Sequence, residues 1–248
     1  RDLSMDGLKL VIDCAHGASY RVAPTVFEEL GAEVIVVGSN PNGVNINQDR
    51  GSLHPEYMAA LVREHGANAG LAFDGDADRV IVADEKGEIL DGDQLMAICD
   101  SHYLKTDSLK GKTLVATVMS NLGLEVALRR QGGCLLRTPV GDRYVVERMR
   151  QLDCNLGGEQ SGHLVFLDCS TTGDGILSAL QILAVMLREQ RPLSELKGVM
   201  QRYPQTLVNV SVSRRQSMEE IPELMRLQEG LEQRLGEEGR LVIRPSGT

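Results

Sequence analysis

The hexapeptide Asp74-Gly75-Asp76-Ala77-Asp78-Arg79 sets three carboxylates at alternate positions, separated only by small residues. In a tight loop this spacing can converge three oxygens on one hard cation, and Mg²⁺ and Ca²⁺ both take oxygen ligands. Without a cation the three anions repel one another, and Arg79 alone offsets only part of that. Two other readings compete. One is a solvated acidic turn. The other is a calcium loop of the EF-hand type, which fits Asp74, Asp76, Asp78 and Glu85. It fails at the sixth position, where the sharp turn needs Gly and the chain has Arg79, and its flanks read as strands rather than helices. Three protein ligands leave positions for water or a substrate phosphate, which points to a catalytic Mg²⁺. Arg79 beside them can hold a phosphoryl oxygen. Phosphoryl transfer suits such a loop, because it is catalysed mainly by positioning and charge neutralisation.

A second loop, Gly157-Gly158-Glu159-Gln160-Ser161-Gly162-His163, sets four polar side chains among three glycines. Glu159 and Ser161 can face one side of it, and a carboxylate with a hydroxyl suits sugar hydroxyls or an amino group. A polar hairpin turn is the plainer reading, and His163 alone reads first as a structural histidine. The chain closes with Arg244-Pro245-Ser246-Gly247-Thr248. Arg244 offers a planar fork to phosphate, Ser246 and Thr248 offer hydroxyls, and Gly247 permits close backbone approach. A strand running into a loop would look the same. In Val140-Gly141-Asp142-Arg143-Tyr144, Asp142 reads as a helix N-cap, and Arg143 near that N-terminus can instead join an anion site. Thr171-Thr172-Gly173-Asp174-Gly175 reads as a turn plus cap.

These loops need a scaffold, and the hydrophobic pattern supplies an α/β one. Strands are predicted over Leu8–Asp13, Glu33–Val37 and Ala69–Phe73, the last running straight into the acidic loop. Arg79–Asp84 and Glu88–Leu90 flank Glu85-Lys86-Gly87 as a hairpin. Helices are predicted over Tyr20–Leu30, His54–His65 and Gly92–Leu104. A second pattern follows: strands Lys112–Val118, Cys134–Thr138, Leu156–Gly158 and Leu164–Leu167, and helices Ser120–Arg130, Asp142–Leu152 and Gly173–Arg188. A third pattern begins after Tyr203-Pro204, with strands Thr206–Val212 and Arg240–Ile243 around an amphipathic helix Met218–Leu235. The expected fold class is consecutive α/β domains with mixed, largely parallel sheets, plus the start of a smaller α+β domain. Expected boundaries give domains at 1–104, 105–204 and 205–248. The first two share a rhythm but little sequence, so an internal duplication is no more than suggested.

Composition narrows the function classes. The 248 residues include no Trp, three Phe and five Tyr, so the core rests on aliphatic side chains and a stacking surface for single strands is disfavoured. The formal charge of −9 gives no basic footprint for nucleic acid. No run approaches a membrane span and no signal peptide is visible. Cys14, Cys99, Cys134, Cys154 and Cys169 are odd in number and far apart, which reads as buried thiols in a reducing, cytoplasmic setting. The chain starts at Arg1 rather than Met and stops directly after a Gly-Thr pair, and we read it as part of a longer polypeptide.

In this order, the acidic loop, the Gly-Glu-Gln-Ser-Gly-His loop and the Arg-Pro-Ser-Gly-Thr loop resemble the metal-, sugar- and phosphate-binding loops of the phosphohexomutase family. The likeness covers essentially the whole chain. Pro41-Asn42-Gly43-Val44-Asn45-Ile46-Asn47, Val140 to Tyr144 and Thr171 to Gly175 resemble the family's glucosamine branch. So does Gln160, where the mannose/glucose branch typically carries Met. Ala77 departs from the common Gly but changes no ligand. The resemblance implies a four-domain enzyme that interconverts glucosamine 6-phosphate and glucosamine 1-phosphate. A phosphoserine of the first domain would donate its phosphoryl group and ligate Mg²⁺, with glucosamine 1,6-bisphosphate as intermediate and activator. It implies Asp74, Asp76 and Asp78 as metal ligands, Arg79 at the transferring phosphoryl group and Glu159 and Ser161 at the sugar. Arg244, Ser246, Gly247 and Thr248 would hold the non-reacting phosphate, and Asp142, Arg143 and His163 would assist proton transfer. The partner is then a small hexosamine phosphate, and a homodimer is compatible with the likeness.

The family carries its serine in a Ser-His-Asn-Pro context, which does not occur here; Ser101-His102 precedes Tyr103 inside a predicted helix. The chain therefore resembles the second and third domains plus the start of the fourth, and is expected to be inactive alone. Three alternatives stay open: phosphomannomutase/phosphoglucomutase activity within the family, a sugar phosphatase using Asp74 or Asp76 as nucleophile, and a non-catalytic sugar-phosphate-binding fragment.

Overall fold

The first strands form where the chain is apolar on both faces. In a computed structural model describing residues 4–211, 221–236 and 239–244, β1 (Lys9–Asp13) and β3 (Ala69–Phe73) are buried almost throughout. They pair in parallel, and β1 also pairs in parallel with β2 (Glu33–Val37). The crossovers carry α1 (Val22–Glu29) and α2 (Pro55–His65). Then the direction reverses. β4 (Val80–Asp84) returns antiparallel to β3, and β5 (Ile89–Leu90) antiparallel to β4, giving the sheet order β2-β1-β3-β4-β5. The turn between β4 and β5 is the expected hairpin. Asp84 Oδ1 accepts from the backbone N–H groups of Lys86 and Glu88 at 3.0 and 2.9 Å.

After α3 (Gly92–Lys105) the same plan recurs. β6 (Thr113–Thr117), α4 (Leu122–Arg130), β7 (Cys134–Thr138), α5 (Asp142–Gln151), β8 (Leu156–Gly158), β9 (Leu164–Phe166) and α6 (Gly175–Glu189) follow in order. The second sheet runs β7-β6-β8-β9, parallel, parallel, then antiparallel. The packing repeats with it. Gly70 of β3 stands opposite Val11 and leaves room for Met58 and Val62 of α2. Gly157 of β8 stands opposite Val115 and leaves room for Val145 and Met149 of α5. A side chain at either glycine would push its helix off the sheet. The shared rhythm read in the sequence thus corresponds to a shared strand topology, β5 apart, and to glycines at matching register.

Helix α3 joins the halves. Leu95 to His102 are all buried, so this helix has no solvent stripe of the usual amphipathic kind. One apolar cluster runs through both sheets, from Phe27 and Phe73 through Leu95 and Met96 to Phe166 and Ile182. A short α7 (Leu193–Leu196) follows. Residues Arg1–Gln201 form one compact unit and Arg202–Thr248 a second.

In the second unit α8 (Pro222–Leu235) agrees with the expected helix; residues 218–220, where it was to begin, lie outside the described residues. The expected strands Thr206–Val212 and Arg240–Ile243 do not appear among the described residues, and Val212 lies outside them. Alternation is not enough to make a strand: a ladder needs a hydrogen-bonded neighbour. Leu207, Val208 and Val210 are correspondingly exposed. The cysteine expectation is corrected too. Cys14, Cys99 and Cys154 are buried, but Cys134 and Cys169 are exposed, Cys134 opening an edge strand.

Candidate active site

The acidic loop is the tip of the β3–β4 hairpin. Its flanks are strands, so the EF-hand reading is excluded. Asp74, Asp76 and Asp78 each bring a carboxylate oxygen within 4.8 Å of the others. The turn is closed by Ala77 N–H donating to the Asp74 carbonyl at 3.2 Å and Arg79 N–H donating to Asp74 Oδ1 at 3.1 Å. Ala77 stands at φ +65°, a left-handed backbone that costs about 1 kcal/mol more for Ala than for Gly. Loops packed below hold the tip up. Ala18 N–H donates to the Gly75 carbonyl at 2.8 Å, and a side chain at Gly75 would meet Asn47 and Ile46. The Pro41–Asn47 stretch, which carried part of the family likeness, is therefore a wall of the acidic loop.

Electrostatics agree with a cation site. Asp74 is buried, and that burial pushes its carboxyl up to about 7; the Arg79 N–H opposes the shift, and Asp78 and Asp76 add to it. Asp78 Oδ1 is buried with no hydrogen-bond partner. The Arg79 Nε lies 3.7 Å from Asp74 and 3.6 Å from Asp78, too far for good hydrogen bonds. Its guanidinium remains partly exposed and able to reach an anion. A hard cation among three carboxylates would satisfy the orphan oxygen and relieve the repulsion, so these residues fit Mg²⁺.

The sugar-loop candidate is the tip of the second hairpin, between β8 and β9. A turn closes it, Gly162 N–H donating to the Glu159 carbonyl at 3.1 Å. Glu159 and Ser161 do share a side: Ser161 Oγ donates to Glu159 Oε2 at 3.4 Å. The other carboxylate oxygen accepts from Gly141 N–H at 3.0 Å, at the start of α5. The two hairpin tips are stitched together. Val80 N–H donates to the Gly162 carbonyl at 3.1 Å, and the start of α6 joins them, Gly175 N–H donating to the Ala77 carbonyl at 2.9 Å.

His163 is the side-chain bridge. Its Nδ1 lies 3.1 Å from Asp78 Oδ2. Its Nε2 is buried without a partner, and Gly173 lies flat against the ring, where a side chain would collide. The ring is thus directed at a metal-ligand candidate rather than at open space. Asp142 and Arg143 are exposed, and Arg143 pairs with Glu147 on its own helix at 3.1 Å. The N-cap of α5 is Gly141 at φ +128°, not Asp142, which takes the first helical position. Asp174 caps α6 as expected, accepting from Leu177 N–H at 2.9 Å. Arg244 is exposed, and Ser246, Gly247 and Thr248 lie outside the described residues.

Sequence reasoning missed Asp93 and Asp100. Both are buried acids on α3, and a carboxylate inside a helical pattern reads as a solvent face. Burial pushes Asp93 up to about 6, opposed chiefly by the Asn121 N–H. It pushes Asp100 up to about 7, and neither oxygen of Asp100 has a hydrogen-bond partner.

Comparison with known proteins identifies the family of this fold. The chain matches phosphoglucomutase/phosphomannomutase alpha/beta/alpha domain II over residues 2–87, alpha/beta/alpha domain III over 91–203 and the C-terminal domain over 207–248. It is 58% identical to the phosphoglucosamine mutases of Citrifermentans bemidjiense and Syntrophotalea carbinolica, over its whole length and 55% and 54% of theirs. The chain therefore spans about half the length of the curated relatives it matches. A phosphoglucomutase/phosphomannomutase family protein from Burkholderia thailandensis superposes with a TM-score of 0.71 at 27% identity, covering 83% of this chain and 45% of that one. Aspergillus fumigatus N-acetylphosphoglucosamine mutase, solved with GlcNAc-6P and magnesium, has a TM-score of 0.73 at 19% identity, over 94% of this chain and 59% of that one, and shares the fold. Domain by domain, from the acidic hairpin to the C-terminal segment, the chain belongs to the phosphoglucomutase/phosphomannomutase, or phosphohexomutase, family.

Proposed function

We propose that this chain is the second and third domains and the beginning of the fourth, at 1–104, 105–204 and 205–248, of a phosphoglucosamine mutase. The full protein would interconvert glucosamine 6-phosphate and glucosamine 1-phosphate through a phosphoserine enzyme and glucosamine 1,6-bisphosphate. The observation that carries the reading is the joining of two hairpin tips of different chemistry. Three carboxylates within 4.8 Å stand on one, and a carboxylate–hydroxyl pair stands on the other, which is bonded to the first through Val80 and Gly162.

Asp74, Asp76 and Asp78 would hold Mg²⁺, which supplies charge neutralisation at the transferring phosphoryl group. Arg79 would orient that group, its Nε lying no closer than 3.6 Å to the Asp74 and Asp78 carboxylates. Glu159 and Ser161 would accept from and donate to sugar hydroxyls or the amino group. Arg244, Ser246, Gly247 and Thr248 would hold the far phosphate. His163, through its contact with Asp78, suits orienting a metal ligand better than carrying a proton to the sugar. The exposed Asp142 and the helix-paired Arg143 have less support as assisting groups. Charged sugar phosphates do not cross membranes unaided, so a cytoplasmic setting accompanies this reading; among the described residues no helix is long and apolar enough to cross a membrane.

The test is turnover of glucosamine, glucose and mannose 6-phosphates by the full-length protein, with the 248-residue chain beside it. We expect preference for glucosamine 6-phosphate, no turnover by the chain alone, and phosphate label on serine. Label trapped on Asp74 or Asp76 would replace the mutase reading with an aspartyl phosphatase.

A further inference from the structure

Asp93 is fully buried in the first turn of α3, and three segments meet on it. Its Oδ2 accepts from Asn121 N–H at 2.7 Å, in the loop before α4, and from Gln160 Nε2 at 2.9 Å, in the sugar-loop candidate. The adjacent Gly92 N–H donates to the Gln160 carbonyl at 2.9 Å. Gly92 lies so close to that loop that a side chain there would collide with the backbone of Glu159 and Gln160. A carboxylate at a helix N-terminus is stabilised by the helix dipole, and its hydrogen bonds are of the strong, charge-assisted kind.

The turn places Glu159 and Ser161 together on one side and anchors Gln160 on the other, against Asp93. Rotating Gln160 about this anchor would swing both neighbours. Resting on the reading of Glu159 and Ser161 as sugar contacts, we infer that Asp93 is a positioning residue for sugar recognition. It acts through Gln160 to fix those two side chains and is itself shielded from the sugar. The metal loop's own turn is closed by different bonds, at Arg79, Gly75 and Ala77, and it meets the second hairpin at Gly162 and His163 rather than at Gln160, so a change at Asp93 is expected in sugar affinity and not in metal affinity.

The experiment is a double-mutant cycle on the full-length protein with Asp93→Ala, Gln160→Met and both together. It is read by KM for glucosamine 6-phosphate, kcat, and Mg²⁺ affinity by calorimetry. Each single change is expected to raise KM about tenfold, the worth of one charge-assisted hydrogen bond. The pair should also reach about tenfold rather than a hundredfold, because both remove one link. kcat should stay within about threefold and Mg²⁺ affinity unchanged. Asp93→Asn, which keeps an acceptor for Asn121, should fall between. Where Asp93→Ala does not fold, Asp93→Asn and Gln160→Met carry the test. An unchanged KM in folded Gln160→Met, or multiplying effects in the pair, overturns the inference. Glu159→Ala separates the two levels. If it leaves KM unchanged the sugar-loop reading itself fails; if it raises KM while Asp93 and Gln160 variants do nothing, only the positioning role fails.

Discussion

The backbone N–H of Gly175 donates to the carbonyl of Ala77 at 2.9 Å, so the first turn of α6 is tied directly to the metal-loop candidate. The contact is tight: a side chain at Gly175 would meet the backbone of Ala77 and Arg79. Together with Val80 and Gly162, it makes the acidic tip a shared possession of both sheets rather than a free turn on one of them.

A rigid acidic tip should bind a divalent ion in the isolated chain. Calorimetry of the 248-residue chain should register Mg²⁺, and Asp76→Ala or Asp78→Ala should weaken it by at least about tenfold, as loss of one charged oxygen ligand requires. Equal affinity in wild type and Asp76→Ala would refute the assignment.

His163 should matter to the metal through Asp78. His163→Ala is expected to lower Mg²⁺ affinity about tenfold, while His163→Asn, which can place an amide where Nδ1 stands, should recover most of it. Gly173→Ala, which forces a methyl into the ring, should cost about 1–3 kcal/mol in urea unfolding. If His163→Ala binds Mg²⁺ like wild type, the ring is structural only.

Asp100 is expected to make stability fall as pH rises. Its folded pKa of about 7 lies above the ordinary 3.8 because burial penalises the charged form. The folded state therefore holds the proton more tightly, and the stability is full below about pH 4 and lost as pH rises through 7. The span corresponds to something on the order of 4 kcal/mol. Asp100→Asn, uncharged at every pH, should flatten this slope and raise the melting temperature at pH 8. Parallel melting curves for the two proteins between pH 5 and pH 8 would count against it.

Lys197 clasps the β4–β5 hairpin. Its Nζ lies 2.5 Å from the buried Asp84 and also contacts Glu88, while Ser194 contacts Glu85. Lys197→Met leaves Asp84 buried and uncompensated, and should cost about 3–5 kcal/mol. Adding Asp84→Asn should restore part of it. A melting temperature for Lys197→Met equal to wild type would show that Asp84 is held well enough by the hairpin amides alone.

Much of this was legible in the sequence. Glu33–Val37, Ala69–Phe73, Cys134–Thr138 and Leu156–Gly158 are strands with the bounds that pattern and turn residues gave them. The carboxylate spacing announced the acidic cluster. What escaped depends on partners distant in sequence. Asp93 and Asp100 are buried on α3, and Asp93 is covered by segments around Asn121 and Gln160 that lie far from it in the chain. Gln160 looked like one more polar residue of a turn until Asp93, 67 residues away, took its amide. Thr206 to Ser211 alternates like a strand but has no neighbour to pair with among the described residues. His163 was singled out from its loop, yet its contact with Asp78 could not be read from its neighbours in the chain.

The glycine register shared by Gly70 and Gly157 has one more consequence. It means that the metal-loop and sugar-loop candidates occupy the same slot in two similar architectures, each the connection, about six and five residues long, between a parallel strand and its returning neighbour. The slot dictates where a tip stands but not what it carries. One hairpin tip carries three carboxylates and the other a carboxylate and a hydroxyl, on sheets whose four matching strands share order and direction. Chemical diversity here is a matter of interchangeable fittings on a twice-used mount, and exchanging the fittings is a smaller step than inventing a second mount.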